Sequence, residues 1–500
     1  MSRVATPFLS STPAAVIQQL AVLGVQPSGV ADDSRQVRPG DLFIAYPGDL
    51  ADGRQFIADA IARGASAVLW ESGDDFAWNN EWRIANLSAS RLRQLCGPLA
   101  HALTGRPSER LSLIAITGTN GKTTISQWLG STHPCHCAII GTLGAGFSGQ
   151  LAETGFTTPE AAMLTRYLAE FAAAEAHACA LEASSIGIEE GRLDGARVDV
   201  AVFTNLTRDH LDYHGTMERY AATKERLFTW PRLRLAVINL DDSFGAQLAG
   251  RTTATKVLGY TLVGARRAVP VQAVVRAENV EETINGLRFL LCAPNGRALV
   301  ETGLLGRYNV SNLLAVAAVL IDAGLTPEEV AARFAELPSP PGRLEKVGGI
   351  NEPLVVVDYS HTPDALESAL RALRGVASAR GAGLVAVFGC GGDRDRGKRP
   401  LMGEIATQLA DRVVLTSDNP RSEDASAILD EIRVAAPTAE VIVDRAEAIR
   451  RTILAAHPAD VVLLAGKGHE PYQEIAGVRR PFSDVAEARS ALAARQESSQ

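Results

Sequence analysis

The sequence predicts an α/β protein of three domains, with doubly wound parallel sheets in the second and third. Its 500 residues exceed what one core of about 150 residues accommodates. Short apolar runs alternate with helical patterns, as they do in βαβ units. Turn-forming residues in Thr104–Ser108 and three prolines in Leu337–Gly342 interrupt the chain. These interruptions set the predicted domains at residues 1–105, 106–338 and 339–500.

The strand candidates follow in chain order. The first domain has Asp41–Tyr46 and Ala67–Trp70 among alanine-rich helical stretches. In the second domain, Leu111–Ile116 has the character of a buried strand that leads into a glycine-rich turn and a helix. The remaining candidates are Ala178–Leu181, Val198–Phe203 and Leu235–Asn239 in the second domain, and Leu354–Asp358, Leu384–Phe388, Val413–Thr416 and Val461–Ala465 in the third.

Four unusual polar segments follow the strand candidates of the third domain. Ligands of open α/β sheets bind beyond the carboxyl ends of the strands, so these segments are candidate site residues. They are Asp358–His361, Gly389–Asp393, Asp418–Arg421 and Gly466–Glu470.

The composition argues against several classes of protein. Lys and Arg number 49 against 57 Asp and Glu, a formal net charge of −8, so the chain lacks the positive field that nucleic acid would require. A hydrophobic content of 46% excludes a disordered chain. No apolar secretory segment is evident, and the longest apolar run, Leu313–Ile321, is too short for a membrane span. The dispersed cysteines predict free thiols, because the one-residue spacing of Cys135 and Cys137 is unlike a zinc knuckle.

The segment Thr117–Thr124 predicts an ATP site. Its glycines allow backbone amides to surround phosphate oxygens, Lys122 supplies a positive charge, and the hydroxyl of Thr123 suits a magnesium ion. Ile116 stands where the general phosphate-loop pattern has its first glycine, so Gly118 gives a tighter Gly-x-x-Gly-Lys-Thr turn. The alternative, a turn that happens to contain a lysine, is disfavoured by the strand–loop–helix context.

Two further side chains suit a metal–nucleotide site. Glu182 ends a predicted strand and His210 lies in a polar segment, and both could serve a second magnesium ion that bridges phosphate and substrate. The i,i+4 spacing of His210 and His214 is a weak indication of zinc. For His214 we favour a hydrogen-bonded structural role.

These residues carry a resemblance to the Mur ligases, which build the peptide stem of bacterial cell-wall precursors. The motifs recur in the order of that family, from about Asp33 to the end of the chain. They are Gly118–Thr124, Glu182–Ser185, Thr204–Asn205 with Asp209–His210, Asn309–Asn312, Gly342–Glu345 and Asp358–His361. The segments Phe388–Pro400, Asp418–Arg421 and Gly466–Glu470 resemble the MurE branch.

The resemblance implies a fold and a reaction. The fold has an N-terminal domain for the UDP end of the substrate, a central P-loop domain for ATP and a C-terminal Rossmann-like domain for the amino acid. ATP phosphorylates a substrate carboxylate, and an amine then attacks the acyl phosphate. For the MurE branch the partners are UDP-N-acetylmuramoyl-L-alanyl-D-glutamate, meso-diaminopimelate, ATP and Mg²⁺, in the bacterial cytoplasm.

The resemblance also assigns roles to residues. The catalytic positions are Lys122, Glu182, His210 and Lys224, and the metal ligands are Thr123, Glu182, His210 and a carbamate on Lys224. The ATP positions are Gly118, Thr119, Asn120, Gly121, Lys122, Thr123, Thr124, Asn309 and Arg343, with Asp358 and His361 lining the same cleft. The UDP-substrate positions are Ser34, Asp49, Leu50, Ala51, Thr157, Thr158, Ser184 and Arg192. The amino-acid positions are Arg394, Asp418, Asn419, Pro420, Arg421, Gly466 and Glu470.

Several of these residues have simpler alternatives. Thr157 and Thr158 could cap a helix that begins near Pro159. Lys224 could be a solvated helix lysine. Arg421 could cap a helix or pair with Glu423 or Asp424 at the surface.

The chain departs from the family at two positions near the predicted UDP-substrate residues. Ile186 stands where many relatives carry histidine, so any polar task at that point is absent or moved. Glu190 stands where relatives often have glutamine, and its carboxylate would repel an acidic substrate unless it is paired or protonated.

The amino-acid substrate follows from charge. In the MurE branch the Asp-Asn-Pro-Arg form of 418–421 goes with meso-diaminopimelate, whose two ends would meet Arg394 and Arg421 with Glu470. L-lysine lacks the distal carboxylate. The alternatives for the whole chain are another amino-acid-adding Mur ligase, a folylpolyglutamate synthase or a non-catalytic nucleotide-dependent scaffold.

Overall fold

The computed structural model describes residues 12–48, 51–73, 76–263, 271–283, 286–349 and 351–498. Asp49 and Leu50, two predicted UDP-substrate residues, lie outside these ranges. The chain divides into two compact units between Val274 and Val275, with Ala318–Ala323 belonging to the first. Parallel sheets flanked by helices confirm the predicted α/β class. The predicted domain boundaries after residues 105 and 338 stay predictions.

The first unit begins with a four-stranded parallel sheet in the order β1-β2-β3-β4. Its elements are α1 (Pro13–Val22), β1 (Val30–Ala31), β2 (Leu42–Ala45), α2 (Ile57–Ala62), β3 (Ala67–Glu71), β4 (Ala85–Ala89) and α3 (Leu92–Leu103), with 3-10 turns at Ser34–Gln36, Gly53–Phe56 and Pro107–Glu109. Leu42 and Ile44 enter one core, whereas Phe43 enters another, because successive strand residues face opposite sides of the sheet. Both predicted strands of this region are confirmed.

The rest of the first unit contains eight neighbouring strands of a larger sheet, in the order β12-β11-β10-β5-β9-β6-β7-β8. Strand β7 pairs antiparallel with both β6 and β8, and the other pairings among these strands are parallel. The elements of this region are β5 (Ser112–Thr117), α4 (Lys122–Thr132), β6 (Cys137–Gly141), β7 (Gly144–Phe147), β8 (Gln150–Ala152), α5 (Ala161–Ala173), β9 (Ala178–Glu182), α6 (Ser185–Glu189), β10 (Val200–Phe203), α7 (Leu211–His214), α8 (Met217–Glu225), β11 (Leu235–Asn239), α9 (Ser243–Leu248) and β12 (Lys256–Thr261), with a 3-10 turn at Arg226–Thr229. Ile116 of β5 pairs with Glu182 of β9, and Thr117 pairs with Phe203 of β10. The ends of β9 and β10 therefore flank the start of the predicted phosphate loop.

Three strands that the sequence did not predict pair antiparallel with one another near the start of the second unit. They are β13 (Ala273–Thr283), β14 (Gly286–Ala293) and β15 (Gly296–Thr302). The helices α10 (Tyr308–Asp322) and α11 (Pro327–Ala335) follow, and residues 318–322 of α10 belong to the first unit. Thr326 and Glu329 form a capping box at the start of α11, which fixes where that helix begins.

The remainder of the second unit is doubly wound, as predicted. Its sheet has the order β16-β17-β21-β18-β19-β20, and only β16 is antiparallel. The elements are β16 (Glu345–Gly348), β17 (Leu354–Asp358), α12 (Pro363–Ala379), β18 (Leu384–Phe388), α13 (Lys398–Leu409), β19 (Arg412–Leu415), α14 (Ala425–Arg433), β20 (Glu440–Val441), α15 (Arg445–Ala455), β21 (Val461–Ala465), the hairpin β22 (Tyr472–Ile475) and β23 (Val478–Pro481), and α16 (Asp484–Ser498). Helices α12, α13 and α14 pack on one face, and α15 and α16 pack on the other.

Two further findings concern membrane crossing and the cysteines. None of the helices in the described ranges has the length and apolarity that a bilayer crossing demands. All six cysteines are free thiols, and only Cys135 is exposed.

Candidate functional site

The predicted phosphate loop lies between the end of β5 and the start of α4, and contacts of its backbone keep it compact. Gly118 has φ +145°, and any β-carbon there would overlap the hydroxyl of Thr204. The amides of Thr119 and Asn120 donate to the carbonyl and side-chain oxygens of Asn205, each at 2.9 Å. The segment that follows β10 thus fixes the loop, although Thr204 and Asn205 were not among the predicted site residues.

Two lysines converge on one carbonyl of this loop. Lys122 Nζ donates to Gly118 O at 2.9 Å and to Thr119 O at 2.8 Å. Lys224 Nζ donates to the same Gly118 O at 3.0 Å and lies 4.4 Å from the ring centre of Tyr220. Lys224 is only 1% exposed, so the alternative of a solvated helix lysine is wrong. Burial, and then the charge of Lys122, lower the pKa of Lys224 well below its usual value.

Glu182 is a fully buried carboxylate at the end of β9, and hydroxyl groups surround it. It accepts hydrogen bonds from Thr123 Oγ1 at 2.9 Å, Thr142 Oγ1 at 3.1 Å and the Thr142 amide at 3.0 Å. Gly141 provides the space for this carboxylate, because a β-carbon at 141 would overlap Glu182 Oε1. The structure therefore brings together Thr123 and Glu182, two of the predicted metal ligands, and adds Thr142.

His210 and His214 lie in different surroundings. His210 has φ +51° and a side chain 43% exposed, with Nε2 3.5 Å from Asp209. Burial, opposed by Asp209 and assisted by the positive lysines, lowers the pKa of His210. His214 is buried and hydrogen-bonded to Ser185 Oγ at 2.9 Å, which confirms its predicted structural role. No group of three His, Cys, Asp or Glu side chains suited to a metal occurs in the described part of the chain.

The predicted dipeptide residues lie beside Glu182. Thr158 Oγ1 donates to the carbonyl of Glu182 at 2.7 Å and to Ser184 Oγ at 2.9 Å, and Ser184 caps α6 through the Gly187 amide. Thr157 shares a hydrogen bond of 3.0 Å with Thr142. The N-cap of α5 is Glu160, so the alternative of a helix cap at Thr157 or Thr158 is wrong.

Arg192 is held by two carboxylates. Its Nε and Nη2 donate to Glu190 Oε2 at 2.8 and 2.5 Å, Nη2 lies 3.0 Å from Glu160, and Nη1 donates to Thr158 O at 2.7 Å. The guanidinium also lies 5.4 Å from the ring centre of Phe156. Glu190 is therefore paired, which is one of the two conditions under which its carboxylate would not repel an acidic substrate.

The remaining first-unit predictions lie in the N-terminal sheet region. Ser34 is buried in a short 3-10 turn that Asp33 caps by accepting from the Arg35 amide. Ala51 is exposed. Outside that region, Ile186, one of the two departures from the family, lies within α6 and is partly buried.

In the second unit, the predicted nucleotide residues fall into two places. Asn309, near the start of α10, donates to Leu305 O at 2.7 Å and accepts from Asn312 at 3.0 Å. Asp358, at the end of β17, accepts from the Leu344 amide at 2.8 Å. Burial raises the pKa of Asp358, and nearby Arg343 opposes the rise.

Three side chains lie close to the ring of Tyr359, which directly follows Asp358 in the chain. Arg343 lies 4.8 Å from the ring centre of Tyr359, and the rings of His361 and His469 lie 4.6 and 5.4 Å from it. His469 Nδ1 is buried with no hydrogen-bond partner. Tyr359 and His469 lie in segments that the sequence marked as candidate sites, but the family resemblance assigned no role to either residue.

The predicted amino-acid residues lie on three loops at the carboxyl edge of the sheet, which follow β18, β19 and β21. Arg421 Nη1 donates to the carbonyl of Gly392 at 2.7 Å, and Arg394 is exposed. Asp418, Asn419 and Pro420 are buried. No ion pair of the described residues joins Arg421 to Glu423 or Asp424. Glu423 binds Arg399, and Asp424 caps α14, so the alternative of a surface ion pair is wrong.

A buried lysine completes this edge. Lys467 Nζ donates to Asn419 Oδ1 at 3.0 Å and to Glu470 Oε2 at 3.1 Å, and Asn419 donates to the same Glu470 oxygen at 2.8 Å. Gly466 leaves room for Asp418, since a β-carbon there would overlap Asp418 Oδ2. Lys467 lies in the candidate segment Gly466–Glu470, but the family resemblance assigned it no role.

Comparison with known proteins gives one consistent result. Three family models match: "Mur ligase family, catalytic domain" over residues 27–104, "Mur ligase middle domain" over 116–320, and "Mur ligase, glutamate ligase domain" over 342–468. A Chromobacterium violaceum protein named UDP-N-acetylmuramoyl-L-alanyl-D-glutamate–2,6-diaminopimelate ligase is 48% identical over 487 residues, 96% of each chain. Its namesake from Pseudomonas aeruginosa is 48% identical over 92% of this chain and 94% of that one.

A solved structure of a protein with the same name is also similar. It is 40% identical, covers 94% of this chain and 95% of its own, and superposes with a TM-score of 0.67. Both the family models and the relatives span most of the chain. This protein therefore belongs to the Mur ligase family.

Proposed function

We propose that this chain is an ATP-dependent ligase that joins meso-diaminopimelate to UDP-N-acetylmuramoyl-L-alanyl-D-glutamate, a step of peptidoglycan precursor synthesis in the bacterial cytoplasm. The names of relatives 48% identical over nearly the whole chain support this reaction. The observation that carries it is the edge of the second-unit sheet, where Arg421 is fastened to the glycine-rich loop that bears Arg394, close to the Asn419–Lys467–Glu470 network.

The chemistry explains why ATP is needed. A free carboxylate is a poor electrophile, so phosphate transfer to the substrate carboxylate first creates an acyl phosphate with a good leaving group. The amine then attacks this carbonyl and releases phosphate. Positioning and charge neutralisation supply most of the catalysis in such a reaction. Lys122 and the loop amides are assigned to phosphate oxygens. Asn309, Arg343, Asp358 and His361 are the further residues assigned to the nucleotide.

The residues around Glu182 suit magnesium. Mg²⁺ prefers oxygen ligands, and the Glu182 carboxylate and Thr123 hydroxyl provide two of them 2.9 Å apart. When bound, magnesium neutralises phosphate charge. We also assign His210 and a carbamate on Lys224 to the metal. The buried, low-pKa amine of Lys224 supports the carbamate, because only a neutral amine takes up carbon dioxide.

The remaining predicted contacts divide between the two other substrates. The UDP-linked dipeptide is assigned to two groups of residues, one around Ser34 with the 49–51 segment and one around Glu182. The second group comprises Thr157, Thr158, Ser184 and Arg192. The amino acid is assigned to Arg394, Asp418–Arg421, Gly466 and Glu470, with its two charged ends at Arg394 and at Arg421 with Glu470. Domain limits at residues 105 and 338 belong to the same proposal.

A phosphate-release assay tests the function. The protein is incubated with ATP, Mg²⁺ and UDP-N-acetylmuramoyl-L-alanyl-D-glutamate, together with meso-diaminopimelate, L-lysine, L-glutamate or no amine. We expect stoichiometric phosphate release and ligated product only with meso-diaminopimelate. No phosphate release with any of the amines would indicate a non-catalytic nucleotide-dependent scaffold. In a parallel reaction with a folate substrate in place of the UDP-linked dipeptide, transfer of L-glutamate would indicate a folylpolyglutamate synthase.

A further inference from the structure

Arg399, the second residue of α13, is fully buried between two carboxylates. Its Nη2 donates to Glu423 Oε1 at 2.8 Å, and its Nη1 donates to Glu423 Oε2 at 3.0 Å and to Glu431 Oε2 at 2.9 Å. The side chain is 0% exposed. A guanidinium removed from water requires such pairing. Arg399 therefore ties the start of α13 both to Glu423 and to α14, which contains Glu431.

Glu423 in turn holds the glycine-rich loop. Its Oε1 accepts from the backbone amide of Asp393 at 2.6 Å. Asp393 accepts from the hydroxyl of Ser422 at 2.6 Å and from its amide at 3.1 Å. The pKa of Glu423 is lowered to about 2, mainly by its hydrogen bonds with Arg399 and then by the Asp393 amide. Glu423 is therefore ionised at neutral pH and joins Arg399 to Asp393.

The two loops fastened in this way carry the arginines assigned to the substrate. Arg394 directly follows Asp393, and Arg421 directly precedes Ser422. The spacing of the two guanidinium groups thus depends on the contacts between Asp393, Ser422 and Glu423. A substrate with two fixed charged ends is sensitive to that spacing, because charge-assisted contacts weaken when their geometry changes.

We propose that Arg399, acting through Glu423, is a positioning residue that sets the separation of Arg394 and Arg421 and so determines affinity for a dicarboxylic diamino acid. This inference rests on the proposed function. Arg399 is not itself proposed to contact the substrate. The alternative is that the ion pair only stabilises the second unit.

Three variants distinguish these roles. Arg399→Met removes the guanidinium, and Glu423→Gln is a milder change that keeps the shape of the side chain. Arg380→Met is the matched control. Arg380 donates to the carbonyls of Gly349, Glu352, Pro458 and Ala459, which precede β17 and β21 at the opposite edge of the same sheet.

Steady-state kinetics and thermal melts are measured for each variant in the full-length protein. We expect the KM for meso-diaminopimelate to rise about tenfold or more in Arg399→Met and Glu423→Gln, as for the loss of charge-assisted hydrogen bonds. The KM values for ATP and the UDP-linked dipeptide should not change. Arg380→Met should lower the melting temperature without changing the KM for the amino acid.

Other results would overturn the inference. An unchanged KM for meso-diaminopimelate in Glu423→Gln would do so, even if Arg399→Met failed to fold. So would an equal rise in all three KM values, or the same rise in Arg380→Met. Because wild-type turnover of meso-diaminopimelate is measured in parallel, an inactive wild type would remove the proposed function and the inference together. An active wild type with unaffected variants would remove only the inference.

Discussion

Replacing Arg421 by alanine should remove most of the preference for meso-diaminopimelate over L-lysine. The structure indicates that the change isolates the guanidinium. The backbone of residue 421 has φ +52° and is held by the β22–β23 hairpin, since its amide donates to Glu474 O at 3.1 Å and its carbonyl accepts from Ala476 at 2.7 Å. Alanine and arginine have similar strain at this φ, so the turn should persist. The variant loses the hydrogen bond to Gly392 and the guanidinium that is assigned to the distal carboxylate of meso-diaminopimelate.

The expected magnitude follows from that single contact. Losing a charge-assisted contact in a partly buried site costs about 2–4 kcal/mol, or roughly 30- to 1000-fold in selectivity. The ratio of kcat/KM values is obtained with both amines at equal concentration, by quantifying the two ligated products. Arg480→Ala, which removes an exposed arginine from the neighbouring hairpin, is the control and should keep the wild-type ratio. Comparable rates with L-lysine in the wild type, or an unchanged ratio in Arg421→Ala, would refute the reasoning.

Three further predictions concern other residues. Lys122→Ala should abolish turnover with little change in the melting temperature, because Lys122 is assigned to neutralise the negative charge of the phosphates. Near-normal ligation by this variant would contradict the assignment. Lys224→Ala should lose activity and regain part of it with added short carboxylic acids that replace the carbamate; full activity without them would exclude the carbamate. Glu423 should stabilise the fold above pH about 4.5, and this contribution should be lost as the pH falls towards about 2, since the folded-state pKa is lowered. Accordingly, the difference in melting temperature between wild type and Glu423→Gln should shrink on acidification, and a constant difference would contradict the pairing.

The sequence was sufficient to predict the buried strands and the positions of the loops. Continuous apolar runs such as Val461–Ala465 are typical of central parallel strands, and each of the ten predicted strands is present. Strands β13 and β15 were missed because exposed polar residues, including the 278–283 segment, interrupt their apolar residues. Strand β14 was missed although it contains the apolar run Phe289–Ala293. Their pairing depends on antiparallel partners rather than on local pattern.

Burial of polar side chains could not be predicted from local sequence. Lys224 and Lys467 look like surface lysines, yet each is almost wholly buried and donates a hydrogen bond to a residue in a distant segment, Gly118 and Asn419 respectively. Thr142 was missed because strand β6, which it follows, was not predicted. The rule that ligand sites lie at the carboxyl ends of strands would otherwise have included Thr142.

The close approach of Glu182 to Gly141 affects how substitutions at position 141 should be interpreted. The carboxylate of Glu182 occupies the space that any side chain at 141 would need, and Thr123 and Thr142 hold it there. One added methyl group would therefore displace the acidic group as effectively as deleting it. In a saturation mutagenesis screen, residue 141 would score like a reactive position although it has no side chain. Mutational intolerance at this glycine would report the volume occupied by its neighbour.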